Sequence, residues 1–572
     1  MKNYRPRRII ILVLLCSLCT ATQAQYASNG RILQTNEKYA LGDWIGYSNS
    51  RYINSISMGN EQVYFATTGG ITRFNFYENT WDFPWTTCNG LPDNHILCVA
   101  FDAQANRLWC STPVGISFYE SFAEIWKNLY ADDLNLSGDD HVLSFGFSDE
   151  YVWLETRNGE WLRSSNQYGN FLFESTSTPA EQLLQQLEWH GNRGRAKNEL
   201  PILFMSEGYL FDSQGTISDF NFRRFPITTY LFDRWGCIWV GTWGLGVGRA
   251  DTRSQQLELL PFGPYQKNIT ALNLDFQESF WIGGWDEENP QGTGWENENA
   301  VTAWNTRTHT WDYYQARYIT RFNSDHALSL AQTNGEFWLG SDLGLAEFNY
   351  ARNRWYFYDQ TDRIRHNQIN DVVADDDFIW VATPSGIDRL TRVALHTDSV
   401  EVEHIATQHL RQIEVFDLEV VGDTLWAGTR AGAYFYNIQK DSGDFVEGPW
   451  GPGTRPVFAV AAAPTLVWFG SEDRINVFDL AKNDWVSAPF DFSDIDRPVN
   501  FLDATADVVF AATDDGVWKF DMQRLFWKQF TREDGLIGNR VNAVQIVGDH
   551  VWFATTEGLC RFFWNNPMRA DY

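Results

Sequence analysis

The run Val541-Asn-Ala-Val-Gln-Ile-Val547, Gly548-Asp549, Val551-Trp-Phe-Ala-Thr555, Glu557-Gly558, Leu559-Cys-Arg-Phe-Phe563 reads as three short strands joined by two tight turns. Its first segment alternates apolar and polar side chains, the period of a strand with one buried face. The Gly-containing pairs supply residues that tolerate the backbone of a two-residue hairpin turn. The second segment carries the phrase that decides the fold: an aromatic anchor, any residue, Gly or Ala, then Thr or Ser.

That phrase recurs as Trp239-Val-Gly-Thr242, Trp338-Leu-Gly-Ser341, Trp380-Val-Ala-Thr383, Trp426-Ala-Gly-Thr429, Trp468-Phe-Gly-Ser471 and Trp552-Phe-Ala-Thr555. Looser copies sit at Tyr64, Trp109, Trp153, Trp281 and Phe510, with a degenerate one near Leu203. From Trp426 to Trp468, on to Phe510 and on to Trp552, each step is 42 residues. A fixed period of this length is the mark of a repeat architecture. Earlier copies add an outermost strand, such as Thr80–Phe83 after Gly70–Asn75. Four antiparallel strands per repeat make the blade of a β-propeller. The expected fold is therefore all-β, with tandem propellers of about 12 blades. The anchors are expected to wedge between neighbouring blades, and the small residue two positions on lets adjacent backbones approach.

Two phrases carry a family resemblance. Asn89-Gly-Leu-Pro-Asp-Asn-His-Ile96 and Asp534-Gly-Leu-Ile-Gly-Asn-Arg-Val541 look like the opening of a repeat in the two-component-regulator propeller family. Asp233-Arg-Trp-Gly-Cys-Ile-Trp-Val-Gly-Thr242 is similar to that family's core phrase. The resemblance implies a periplasmic propeller of the kind found in sensor halves of hybrid histidine kinases. It extends to the propellers of a type IX secretion surface component. The sequence departs from both in ending at Tyr572, with no kinase, membrane helix or sorting domain after its last blade.

Residues 1–24 read as a secretory signal, with Lys2, Arg5, Arg7 and Arg8 before an apolar run from Ile9 to Leu18 and small residues Thr22 and Ala24 at the cleavage site. The mature chain is expected in the periplasm or the medium, with no membrane insertion. Removing those four positive charges takes the formal net charge from −29 to −33. Such a surface excludes nucleic acid as a partner. Five cysteines remain after cleavage, Cys88, Cys98, Cys110, Cys237 and Cys560. The odd number is no disulfide framework, and if one hairpin spans 95–112 then Cys98 falls opposite Cys110.

Asp43–Tyr47 reads as an orphan fourth strand before the first blade, while the last blade lacks one; pairing them closes a ring and removes two exposed edges. On that basis residues 25–175 and 413–572 are expected to form an outer propeller of about seven blades. Residues 176–412 form an inserted propeller of five or six. The crossings are expected at Thr178-Pro-Ala-Glu181, which reads as a helix start with a capping box, and at the blade-free stretch 393–412.

No phosphate loop, His-Glu-x-x-His, paired Cys-x-x-Cys or nucleophile elbow is present in the sequence. The expectation is a non-enzymatic protein with no catalytic residues and no cofactor. Asp286, Glu287 and Glu288 are weak calcium candidates, because calcium takes several oxygen ligands. Function on a repeat scaffold usually lies in its loops. The residue four after each anchor falls on such a loop, giving among others Thr68, Trp243, Trp285, Asp342, Arg430, Asp514 and Thr556. Trp243 and Trp285 could form an aromatic platform for a sugar or peptide, with Asp342 and Arg430 as further ligand-binding candidates. An envelope protein or glycan is the expected partner. A detached sensor and a propeller-based lyase or glycosidase are the alternatives.

Overall fold

The computed structural model describes residues 39–569 except 41, 167–170, 194–199, 207, 213–214, 276–277, 287–298, 321, 334, 393–400, 406–409, 488–494 and 496. The signal segment lies outside the described residues. Among the described residues eleven sheets are formed, most of them four-stranded and antiparallel with strands in chain order. The copy near Leu203 is not a blade of its own: Phe204–Met205 adds a parallel edge strand to the sheet that carries Trp239.

The hardware of the repeat explains its phrase. Trp338, Trp380 and Trp468 are fully buried among side chains of adjacent sheets. A Cβ on Gly340 would fall 2.8 Å from Ile369, and one on Gly470 2.6 Å from Val499, each in the next blade. The anchor's small neighbour is thus a close approach between blades, as expected. The closing Thr or Ser fixes the turn that follows. The hydroxyls of Thr383, Thr429, Thr513 and Thr555 each donate to a glycine carbonyl three residues on at 2.8 Å. Those glycines, such as Gly386 at φ 126° and Gly558 at φ 139°, occupy backbone space that other residues avoid.

Seven blades form one closed ring. Their inner strands are Ile269–Leu274, Ala327–Gln332, Asp371–Ala374, Val415–Val421, Val457–Ala462, Val499–Ala504 and Val541–Val547. Apolar layers fill every junction in that order, and one more joins the last blade to the first, through Ile269, Phe280, Trp304, Ala543, Trp552 and Leu559. The Asn542 side chain donates to the Ile269 carbonyl at 2.6 Å across that final junction. The expected closure strand is in place: Trp44–Tyr47 pairs antiparallel with Gly558–Phe563, Trp44 opposite Phe562 and Gly46 opposite Cys560. Trp44 stacks on Phe562 at 4.0 Å.

The other four sheets, with inner strands Ile53–Met58, Cys98–Asp102, Val142–Phe147 and Arg224–Phe232, make a second unit inserted between the closing strand and Ile269. Here Thr228 donates to the Ile53 carbonyl and Asn54 to the Ile96 carbonyl. Apolar layers join the fourth sheet to the first, the first to the second and the second to the third. Residues 177–223 supply other elements, including Glu188–Gly191, which adds to the free edge of Val142–Phe147.

Nesting is therefore real but its boundaries differ from those expected. The inserted unit lies between residues 48 and 268, not 176–412, and the first and last blades belong to different units. The cause is the shortness of the crossing. Ser48–Tyr52 alone carries the chain from one ring to the other, and the return runs beside it. Ser50 donates to the Phe262 carbonyl, and buried Arg51 donates to the Tyr265 and Gly244 carbonyls with its guanidinium 3.4 Å from the Tyr265 ring centre. The helix Glu181–Gln186 exists, but its N-cap is Ala180 with no side-chain cap. The stretch after Val393 is not blade-free, since Val402–His404 is the outer strand of a blade.

Cys98 pairs with Ser111 and Val99 with Cys110, one residue out of the expected register, so the two thiols point to opposite faces of the sheet. They belong to different apolar layers, and both are free. The four residues 103–106 between the paired Asp102 and Arg107 set that register.

Candidate inter-ring cleft

A cleft of about 710 Å³ opens where the two units meet. Its walls come from two short linker segments and from loops of four blades, two in each ring. Thr68, Trp243, Trp285 and Thr556, each four residues after an anchor, all line it. The rule that this position faces a common surface holds for these four copies.

Each wall residue is fixed by its neighbours. Trp243 packs against Tyr52 with ring centres 5.0 Å apart, and its amide donates to the Pro226 carbonyl. Trp285 lies across the cleft on the seven-bladed ring, half-buried, with its carbonyl held by the Asn268 side chain at 3.0 Å. Asn542 donates to Asn268 Oδ1 at 3.0 Å, tying that wall to the closing blade. Both tryptophans keep an exposed portion, as an aromatic platform requires.

The cleft's charges are balanced by acids. Lys267 Nζ is 2.6 Å from Glu557, and Arg540 Nε is 3.3 Å from Asp514. Burial holds His95 below the usual imidazole range, with Lys267 adding to the effect against the pull of Asp93, so its ring is neutral near neutral pH. A neutral imidazole offers one donor and one acceptor. His95, Lys267 and Arg540 escape a reading based on anchors, yet His95 and Arg540 occupy the same place in the two repeat-opening phrases, directly after Asn94 and Asn539. That shared place is the signal that could have found them.

Asp342 is set back from the cleft. Its carboxylate is 3.4 Å from His326 Nδ1 and accepts from Ser324, while Trp285 stacks on the His326 ring at 6.3 Å. The His326 ring thus lies between Asp342 and Trp285. Arg430 is not brought to the cleft; it lies elsewhere on the seven-bladed ring and is paired with Glu414.

The Asp286 carboxylate accepts the Lys267 and Asn268 amides, at 2.9 Å for the latter. Those donors hold the return linker against the blade and use the oxygens that a calcium ion would need. Glu287 and Glu288 lie outside the described residues. Among the described residues no group of three or more His, Cys, Asp or Glu side chains could hold a metal ion. The acidic triplet Asp375-Asp376-Asp377 is bound up in local contacts: the Asp375 carboxylate accepts from the Trp380 indole at 2.8 Å, and the Asp376 and Asp377 carbonyls accept from Arg392.

The sequence matches no family model and no curated protein. Solved structures do match. PorZ, an essential bacterial surface component of the type-IX secretion system of Porphyromonas gingivalis, superposes with a TM-score of 0.57 at 12% identity, over 91% of this chain and 87% of that one. The extracellular domain of a putative hybrid two-component system from B. thetaiotaomicron aligns over 90% of this chain and 70% of that one, with a TM-score of 0.45 at 13% identity. At this identity the likeness to PorZ is one of fold. Among the described residues no helix is long and apolar enough to cross a membrane.

Proposed function

We propose that this tandem propeller is an exported recognition protein of the bacterial envelope, which holds a segment of a protein or glycan partner in the cleft between its rings. The observation that carries this reading is the convergence of Trp243 and Trp285, from different rings, on one cleft with His95, Asn268 and Asn542. Two aromatic faces and neutral hydrogen-bonding groups suit an extended, amphipathic ligand such as a sugar chain or a peptide. The cations present are already paired with acids, so the cleft is built for adhesion rather than charge development. The basic and apolar start of the chain and the full-length likeness in fold to a secretion surface component support the compartment and favour a scaffold over a sensor.

Two measurements test this. The mature chain is expected to begin at Gln25 and to fractionate outside the cytoplasm; a cytosolic chain retaining Met1 contradicts it. Purified mature protein is expected to bind members of an oligosaccharide or peptide array. The Trp243→Ala and Trp285→Ala variants should each lose about tenfold in affinity. Unchanged binding in the double variant rejects the cleft as the site.

A further inference from the structure

Two cysteines 472 positions apart in sequence meet where the seven-bladed ring closes, with Cys88 Sγ 3.7 Å from Cys560 Sγ. Cys560 is buried on the strand that pairs with the closing strand. Cys88 is half-buried on the short turn Thr87–Asn89 that follows the first blade of the inserted unit. Between them runs Gly46. It lies opposite Cys560 in the ladder, and a Cβ built on it would fall 2.5 Å from Cys88 Sγ and 2.8 Å from Thr86 Oγ1. The missing side chain at Gly46 is the opening through which one thiol reaches the other. The turn is docked independently of sulfur, since the Asn89 side chain donates to the Trp44 carbonyl at 3.1 Å and Thr86 caps the Cys88 amide.

We propose that Cys88 and Cys560 form a disulfide that staples the ring closure, joining the inserted unit to the last blade across the strand Trp44–Tyr47. The sulfurs must close to about 2.05 Å, a movement that a side-chain rotation and a small shift of the half-buried turn supply. The oxidant is a second disulfide, carried by a thiol–disulfide oxidoreductase or a small thiol of an oxidising compartment. The Cys88 thiolate attacks one sulfur of that disulfide, forming a mixed disulfide and expelling a thiolate. Cys560 then gives up its proton and attacks Cys88 Sγ, expelling the second thiolate. The protons lost by Cys88 and Cys560 end on the two released thiols: two protein thiols are oxidised and one disulfide is reduced. Order follows from access, as Cys88 is reachable while burial pushes the Cys560 thiol well above its usual range.

The other three cysteines of the mature chain are not placed to compete for this pairing. Cys98 and Cys110 face apart and are buried, and Cys237 lies on another sheet. The staple holds the strand on which closure of the ring depends, and it constrains a very long loop of the unfolded chain, where a cross-link is most effective.

In the cell the bond rests on the proposed export, but its chemistry is tested without it. Reduced, purified mature protein is incubated in a glutathione redox buffer, quenched, denatured and labelled with maleimide. Three labels rather than the five free cysteines of the reduced chain are expected, together with a cross-linked Cys88–Cys560 peptide in a non-reducing digest. The oxidised form is expected to melt several degrees above the reduced one, and Cys88→Ser to abolish that difference, whereas Cys237→Ser keeps it. Five labels, or glutathione on Cys88 with no cross-linked peptide, overturns the bond. A cross-link that leaves the melting temperature unmoved overturns its role as a staple. A failure here leaves export untouched, since no step depends on where the chain was made.

Discussion

The two rings use one repeat to different ends. In the seven-bladed ring the junctions carry the same parts: an anchor between sheets, a small residue where backbones meet and a hydroxyl-fixed turn, except in the Trp281 blade, where Gly284 stands in the place of the Thr or Ser. In the inserted unit three sheets fix the turn after the anchor with the hydroxyl of Thr67, Thr112 or Thr242, the sheet of Trp153 has Glu155 in place of the small residue, and residues 177–223 do something else. Glu188–Gly191 adds to an inner edge, with Trp189 against Trp161 and His190 Nδ1 3.2 Å from Ser57 Oγ. Elsewhere in residues 177–223 large apolar side chains stand exposed, among them Leu210, Phe220 and Phe222. Phe220 packs on Tyr318 of the seven-bladed ring, and Tyr318 donates to Asp219 at 2.6 Å beside a buried Asp219–Arg223 ion pair. The regular ring is a self-sufficient scaffold, while the irregular unit leans on its neighbour.

The largest effect that can break this comparison comes from the anchors. Trp380→Ala empties a fully buried site in the seven-bladed ring and also orphans Asp375, at a cost of about 3–5 kcal/mol. Trp239→Ala does the same in the inserted unit, where the indole bonds Asp233. Calorimetry should show each variant lowering a different transition. If both lower one and the same transition equally, the two rings are a single cooperative unit.

A smaller effect separates the rings by pH. Buried carboxyls cross-link inner strands of the seven-bladed ring: Asp371 accepts from Ser329 and the Leu418 amide, Asp417 from the Val460 amide, and Asp503 from the Ile546 amide. Burial raises all of them, Asp503 to about 6 and nearby Glu419 to about 8, with Asp371 and Asp417 also raised. The folded ring thus keeps protons that the unfolded chain releases near pH 4. This contribution is complete below that pH and is lost as pH rises through about 6 to 8. The inserted unit has the opposite device, since burial lowers His190 to about 4. Its contribution is present above the ordinary imidazole range and is lost as pH falls from about 6.5 to 4. Melting at about pH 5.5 and about pH 8.5 should therefore move the two transitions in opposite directions. Parallel movement would remove these groups as the cause.

How much of this was legible in the sequence follows from the same contrast. The anchors, the close-approach glycines and the closing strand are local patterns imposed by packing, and each can be read along the chain. The loop position four after an anchor led to both cleft tryptophans. Ring membership could not be read. Trp239 and Trp281 lie in different rings yet are 42 residues apart, the same step as Trp468 to Phe510 within one ring. The crossings at Ser48–Tyr52 and 261–268 are simply blade connections that lead elsewhere, whereas the conspicuous helix at Glu181–Gln186 is a local insertion. The thiol pair was equally hidden, because nothing in sequence joins Cys88 to Cys560 until the ring is closed.

The central claim is that a strand from the far end of the chain closes the seven-bladed ring and leaves the inserted unit outside it. Hydrogen exchange on Trp44→Ala tests it most directly. Trp44 is 2% exposed and stacks on Phe562 within the closing sheet, so its truncation should loosen that sheet first. Amides of Val541–Val547, His550–Thr555 and Gly558–Phe563, and of the blade beginning at Ile269, should lose protection strongly, whereas those of Ile53–Met58 and Cys237–Thr242 keep theirs. Equal loss in both sets, or loss confined to Ile53–Met58 and its sheet, would contradict the account.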